Sequence, residues 1–130
     1  WLNDTISDGI LCSETVYDVF RHDRINKTGG GISEFYKKHL KTNKIEIGTL
    51  DVTHEVLACN IISLHRKRVK IILCYRPPKY DYEYALKLTN IIENVFDESV
   101  ENIVLGDFNL PNLFKSSTSD PVTHFFENTL

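Results

Sequence analysis

The chain has no methionine, one tryptophan, three cysteines and no apolar run near the roughly 18 residues needed to span a membrane. Each scarcity removes a class of protein. Cys12, Cys59 and Cys74 show no CxxC spacing, so neither a zinc ribbon nor a thioredoxin-like redox pair is encoded. Their odd number, with no signal peptide, leads us to expect reduced thiols in an intracellular compartment. Cys59 and Cys74 lie inside apolar runs and read as small buried hydrophobes. No internal repeat or low-complexity stretch is present. The run Gly29-Gly30-Gly31 is not followed by Gly-Lys-Ser/Thr, which excludes a phosphate-binding P-loop. A chain that opens on Trp1-Leu2 and lacks methionine is expected to be a piece of a longer reading frame.

With 130 residues, 42% of them apolar and 25% charged, the composition is that of one folded domain with a single core. The net charge of -3 argues against gripping nucleic acid by charge alone. It leaves room for a metal-dependent site, which must itself be built from carboxylates.

Periodicity divides the chain. Trp1 to Cys12 reads as a loop with a short helix. Tyr17 to Arg21 alternates apolar and polar, a half-buried strand, and Ile32 to Tyr36 beyond the glycines reads as its partner. Lys37 to Lys44 is expected to be a basic, solvated connection. Glu55 to Ile62 and Val69 to Tyr75 are strong strand candidates joined by the charged tip His65-Arg66-Lys67-Arg68, and Pro77-Pro78 ends the second. A helix follows with Asp81 as N-cap and Glu83 in its first turn, its apolar stripe at Tyr84, Leu88, Ile91 and Val95. Asn102 to Asp107 is a short apolar strand. Asp120-Pro121 opens a last helix whose Val122, Phe125 and Phe126 face one way. This order predicts an α/β (α+β layered) fold, with helices covering a sheet.

Three stretches carry chemistry. In Ile103-Val104-Leu105-Gly106-Asp107-Phe108-Asn109-Leu110-Pro111, a strand delivers an acid and an amide two residues apart at its C-terminal end. Asp107 is a hard oxygen donor able to hold Mg²⁺ or take a proton from water. Asn109 can orient a water or a phosphate oxygen without adding charge, and Phe108 between them should point into the core. The bare D-x-N pattern equally describes an Asx turn. Tyr75-Arg76-Pro77-Pro78 could present a hydroxyl to a phosphate, or could simply terminate a strand at the sheet edge. Phe20-Arg21-His22-Asp23-Arg24 before the glycines reads as a hairpin in which Arg21 and Arg24 are structural ion-pair partners.

Taken together and in order, Tyr-x-x-Phe-Arg-x-Asp-Arg, Gly-Gly-Gly-Ile, Tyr-Arg-Pro-Pro and Gly-Asp-Phe-Asn-Leu-Pro resemble the endonuclease/exonuclease/phosphatase superfamily. The chain is most similar to the apurinic-type endonuclease domain of non-LTR, LINE-type retrotransposons of the jockey-like kind. Trp1-Leu2 resembles the tail of that group's Glu-Thr-Trp-Leu segment. The resemblance spans essentially the whole chain.

It implies a single partial domain over residues 1–130, an incomplete four-layer α/β sandwich. The family's N-terminal strands, with the metal-ligating glutamate, would lie before Trp1. Its C-terminal strands, with the Ser-Asp-His motif, would lie after Leu130. Asp107 would engage the nucleophilic water and serve as the metal ligand present. Asn109 would position phosphate and water, and Tyr75 would be the active-site tyrosine, with Pro78 standing where apurinic endonucleases have asparagine. None of the five histidines matches the family's catalytic one. The cofactor would be Mg²⁺ or Mn²⁺, the partner double-stranded DNA, and a reverse transcriptase domain would follow in the full protein, acting in the nucleus. Arg66, Lys67, Arg68, Lys37 and Lys38 are the candidates for gripping phosphates, although each cluster also reads as a solvated surface. As it stands the chain is expected to be inactive. The rival expectations are a degenerate, non-catalytic remnant that binds at most, and another phosphatase branch of the superfamily.

Overall fold

The two apolar runs of the middle of the chain pair with each other, and the rest of the fold is arranged around them. A computed structural model describes residues 5–23, 30–48, 55–62, 66–78, 81–110, 123–124 and 127–128. The elements are α1 (Asp8–Leu11), β1 (Tyr17–His22), β2 (Ile32–Lys37), β3 (Lys41–Ile45), β4 (Glu55–Ile62), β5 (Arg68–Tyr75), α2 (Tyr82–Val95) and β6 (Glu101–Asp107). They form a four-stranded mixed sheet in the order β3-β4-β5-β6 and a two-stranded antiparallel sheet, β1-β2. The protein is therefore of the α+β class. No helix among the described residues is long and apolar enough to cross a membrane.

β4 and β5 are antiparallel, with Glu55 opposite Tyr75 and Ile62 opposite Arg68. β5 and β6 run parallel, which requires a crossover, and α2 supplies it. Asp81 caps α2 by accepting from the Tyr84 N–H at 2.9 Å, as its position predicts. The buried stripe of α2 is Tyr84, Ala85, Leu88, Thr89, Ile92 and Val95, and the expected Ile91 packs at its margin. Strand alternation brings Val56 and Ala58 of β4, and Ile72 and Cys74 of β5, against this stripe to form the core. Each fully buried aliphatic here contributes about 1.5–3 kcal/mol. Burial raises the Cys74 thiol to about 12 and pushes Cys59 up as well, so both thiols are inert core residues.

The opposite face of the sheet is covered unevenly. β1 packs on β4, and β2 packs on β4 and β5. Ile103 and Leu105 on the outer strand β6 are 37% and 48% exposed, beside their register partners Ile71 and Leu73.

One difference from the expected organisation stands out. The segment expected to be a solvated connection contains β3, where Lys41 to Ile45 pair with Ile62 to Ala58. The unpaired edge of β4 recruits this polar segment, and its lysines keep the new edge soluble. Only residues 37–40 form the turn, closed by the Leu40 N–H to Lys37 carbonyl bond. Of the last helix predicted from Asp120-Pro121, the named residues Val122, Phe125 and Phe126 lie outside the described set. Residues 123–124 and 127–128 are helical, and Thr123 is buried.

Candidate active site

The candidate residues meet at one end of the four-stranded sheet. Tyr75 and Asp107 are the last residues of their strands and are register partners across β5-β6. In a parallel pair this puts both side chains on one face, and Cys74 and Val104, packed on α2, fix that face as the one turned away from the helix. Asp107 is exposed and Tyr75 half-buried.

The glycine before the acid is a packing requirement. A Cβ at Gly106 would lie 1.9 Å from the Cys74 carbonyl oxygen, so only glycine lets β6 approach β5 here. Beyond Asp107 the chain turns sharply. The Asn109 N–H donates to Asp107 Oδ1 at 3.2 Å, the Asx turn that the pattern alone allowed. Asn109 takes φ +47°, which asparagine tolerates better than most residues. Its side-chain Nδ2 donates to the Arg76 carbonyl at 2.7 Å. The Arg76 N–H in turn donates to the Asp107 carbonyl at 2.9 Å, and the Arg76 guanidinium reaches the Phe108 and Asn109 carbonyls. The loops leaving β5 and β6 are thus clasped together directly behind the acid. Phe108 lies against the core cluster, as expected.

Reading the motifs did not single out Glu55. Its place in the register extends the row: Glu55 on β4, Tyr75 on β5 and Asp107 on β6 stand side by side on one face. Glu55 is 2% exposed and accepts the Gly31 N–H at 2.6 Å. Gly30 and Gly31 have φ of +91° and +87°, conformations that favour glycine and that bring this N–H to a carboxylate. His22, the register partner of Ile32, stands on the β3 flank of the row and lines a pocket of about 240 Å³ with Lys44, Glu46 and Ile47. Burial, followed by the charge of Lys44, lowers the His22 pKa, opposed by Glu55 and Asp23. No sequence motif marks His22; only the β1-β2 register brings it to this end. Arg21 is the structural ion-pair partner expected of it, held by Asp8 at 2.7 Å and Asp23 at 2.8 Å. Its relative Arg24 lies outside the described residues.

The basic candidates assemble elsewhere. Arg68 and Lys41 share the row of Ile62, at the other end of the sheet. Arg66 and Lys67 lie on the hairpin tip beside it. Lys37 and Lys38 lie on the turn leading into β3 at that same end, with Lys38 3.5 Å from Asp18. The eight residues of β5, roughly 25 Å, separate these cations from Asp107. They lie toward one end of the sheet and do not join Tyr75, Asp107 and Asn109.

The donor set at the acid end fits a divalent cation in part. Asp107 is an exposed carboxylate, and Mg²⁺ is commonly held by one or two carboxylates with water and substrate phosphate. Among the described residues no group of three or more His, Cys, Asp or Glu converges there. Glu55, the nearest other acid in the row, is bonded to Gly31. Compared with known proteins, the chain matches no family model, no curated protein and no solved structure.

Proposed function

We propose that this chain carries part of the active site of a metal-dependent phosphodiesterase, a DNA endonuclease of the retrotransposon type. The observation that carries this reading is the Tyr75-Asp107 row at paired strand ends, with the Asx turn and the Asn109-Arg76 clasp behind it. The layer order of helix, four-stranded sheet and second sheet is what an incomplete α/β sandwich of the endonuclease/exonuclease/phosphatase type would present. An open, exposed acid at a sheet end suits a long substrate such as double-stranded DNA better than a small molecule held in a pocket.

In this reading Asp107 accepts the proton of the attacking water, and its exposure leaves it reachable by a solvent molecule. Tyr75 presents its hydroxyl to a non-bridging phosphate oxygen on the same face. Asn109 has a second N–H and its Oδ1 to orient water or phosphate while the first N–H holds the Arg76 loop. Mg²⁺ or Mn²⁺, with Asp107 as its ligand, would supply charge neutralisation on the phosphoryl group. The nick would leave a 3′ hydroxyl for a reverse transcriptase to extend, in the nucleus. The cations at the far end would touch phosphates only on a duplex laid along the sheet.

Among the described residues no cluster of three metal-ligating side chains gathers at the acid end, which favours a second reading, a remnant that binds without cleaving. A plasmid-nicking assay separates the two. This chain alone should nick supercoiled plasmid at or near background. Extension by segments bearing Glu-Thr-Trp-Leu before Trp1 and Ser-Asp-His after Leu130 should raise the rate by at least about 10²-fold, the scale of restoring one preorganised group. The gain should vanish with EDTA. An extended protein that stays at background would establish the remnant reading.

A further inference from the structure

Glu55 is a carboxyl side chain buried to 2% exposure. A buried carboxylate is costly unless strongly hydrogen-bonded, and an apolar residue would fill the same space more cheaply. Glu55 Oε2 accepts the backbone N–H of Gly31 at 2.6 Å, a short hydrogen bond. That N–H is offered by a turn in which both Gly30 and Gly31 have positive φ. Ile32, the next residue, begins β2 and pairs with His22 at the end of β1. This bond joins the β2 end of the hairpin to the large sheet at that point, beside the packing of β1 and β2 on β4 and β5. The place is the row of Tyr75, Glu55's own register partner, and Asp107.

We infer that Glu55 is a positioning residue: by seating the glycine turn on the row, it sets the wall that the hairpin raises beside Tyr75 and Asp107. The inference rests on the nuclease reading for what the row does, and adds what holds the row's surroundings in place. It also gives Gly30 and Gly31 a role, since their positive φ brings the Gly31 N–H to an internal carboxylate. Glu55 touches no reacting atom in this scheme and acts through the hairpin.

The test uses the chain with Mn²⁺ alone as probe, read by amide NMR and hydrogen exchange. Glu55→Met keeps the volume and removes the acceptor, whereas Glu55→Gln keeps an oxygen able to accept from Gly31. In the unaltered chain Mn²⁺ should broaden the Asp107 and Tyr75 amides, and the Gly31 amide should be protected. Glu55→Met should expose Gly31 to exchange at least about tenfold faster and require on the order of tenfold more Mn²⁺ for the same broadening. The Ile72 and Leu88 amides should stay protected, and Glu55→Gln should restore both readouts. If Glu55→Met broadens at the unaltered Mn²⁺ concentration, Glu55 does not position the row. If it also unprotects Ile72 and Leu88, Glu55 is a general packing residue and the inference is overturned. If the unaltered chain shows no broadening at Asp107 at all, Gly31 exchange decides alone: protection that Glu55→Met leaves unchanged overturns the inference.

Discussion

Tyr75 and Asp107 are register partners at the ends of two parallel strands, one closing β5 and the other β6. Thirty-two positions apart in sequence, they are made neighbours by the α2 crossover, and their juxtaposition depends on how closely the two strands approach.

That approach is set at Gly106. Since a Cβ there would meet the Cys74 carbonyl at 1.9 Å, Gly106→Ala must push β6 away from β5. The expected loss is about 3 kcal/mol or more, at the upper end of overpacking costs. Urea unfolding of the two proteins measures it. A loss under about 1 kcal/mol would mean the strands separate easily, and the row would then be loosely defined.

Asn109 serves the same end of the sheet by a different device. Asn109→Ala removes the bond to the Arg76 carbonyl and places an alanine at φ +47°. The combined cost should be roughly 1–2 kcal/mol. Asn109→Gly relieves the backbone part only, so it should be the less damaging of the two. Equal stability of both variants and the unaltered chain would show that the clasp contributes nothing.

Much of this was legible in the sequence, for local reasons. Asp81 announces the start of α2 because a carboxylate there bonds an N–H three residues on. Pro77 marks a strand end because proline has no N–H to give the ladder, and Gly106-Asp107 marks another where the apolar run gives way to a polar turn. What stayed hidden is non-local. β3 is polar, Lys-Thr-Asn-Lys-Ile, and is a strand because β4 offers it an edge, which no periodicity within it records. Glu55 read as the first residue of an apolar run; only the β4-β5 register sets it beside Tyr75. The basic clusters were legible as clusters. Their distance from Asp107 follows from strand direction, information that no single segment holds.

Stability should fall as pH rises through the range in which Glu34 ionises. Burial raises the Glu34 pKa, only partly offset by a hydrogen bond with Cys59. The folded state therefore keeps the proton at pH values where the unfolded chain has released it. Glu34's contribution to stability is complete below the ordinary carboxylate value of 4.5 and is lost as pH climbs through the raised folded value. Glu34→Gln should flatten this part of the profile, measured as the urea midpoint against pH. A profile as steep as that of the unaltered chain would assign the effect to another group.

Ile103 and Leu105 on the outer strand β6 are exposed beside the half-buried Ile71 and Leu73 of β5. The chain should therefore bind a hydrophobic dye such as ANS and tend to associate. Ile103→Lys combined with Leu105→Lys should reduce dye fluorescence with little change in unfolding midpoint. No dye binding by the unaltered chain, with a sharp, reversible and monomeric transition, would contradict this.

The central claim is that the chemistry lies at the Asp107 end and not at the cations some 25 Å away. The direct measurement is the Mg²⁺-dependent nicking rate of the extended protein carrying either Asp107→Ala or the triple change Arg66→Ala, Lys67→Ala, Arg68→Ala. We predict that Asp107→Ala lowers the rate at saturating DNA by at least about 10²-fold. The triple change should leave that rate within about threefold and weaken DNA binding with a reduced salt dependence. An Asp107→Ala protein that nicks at the unaltered rate, or a triple variant that loses the chemical step, would contradict the account.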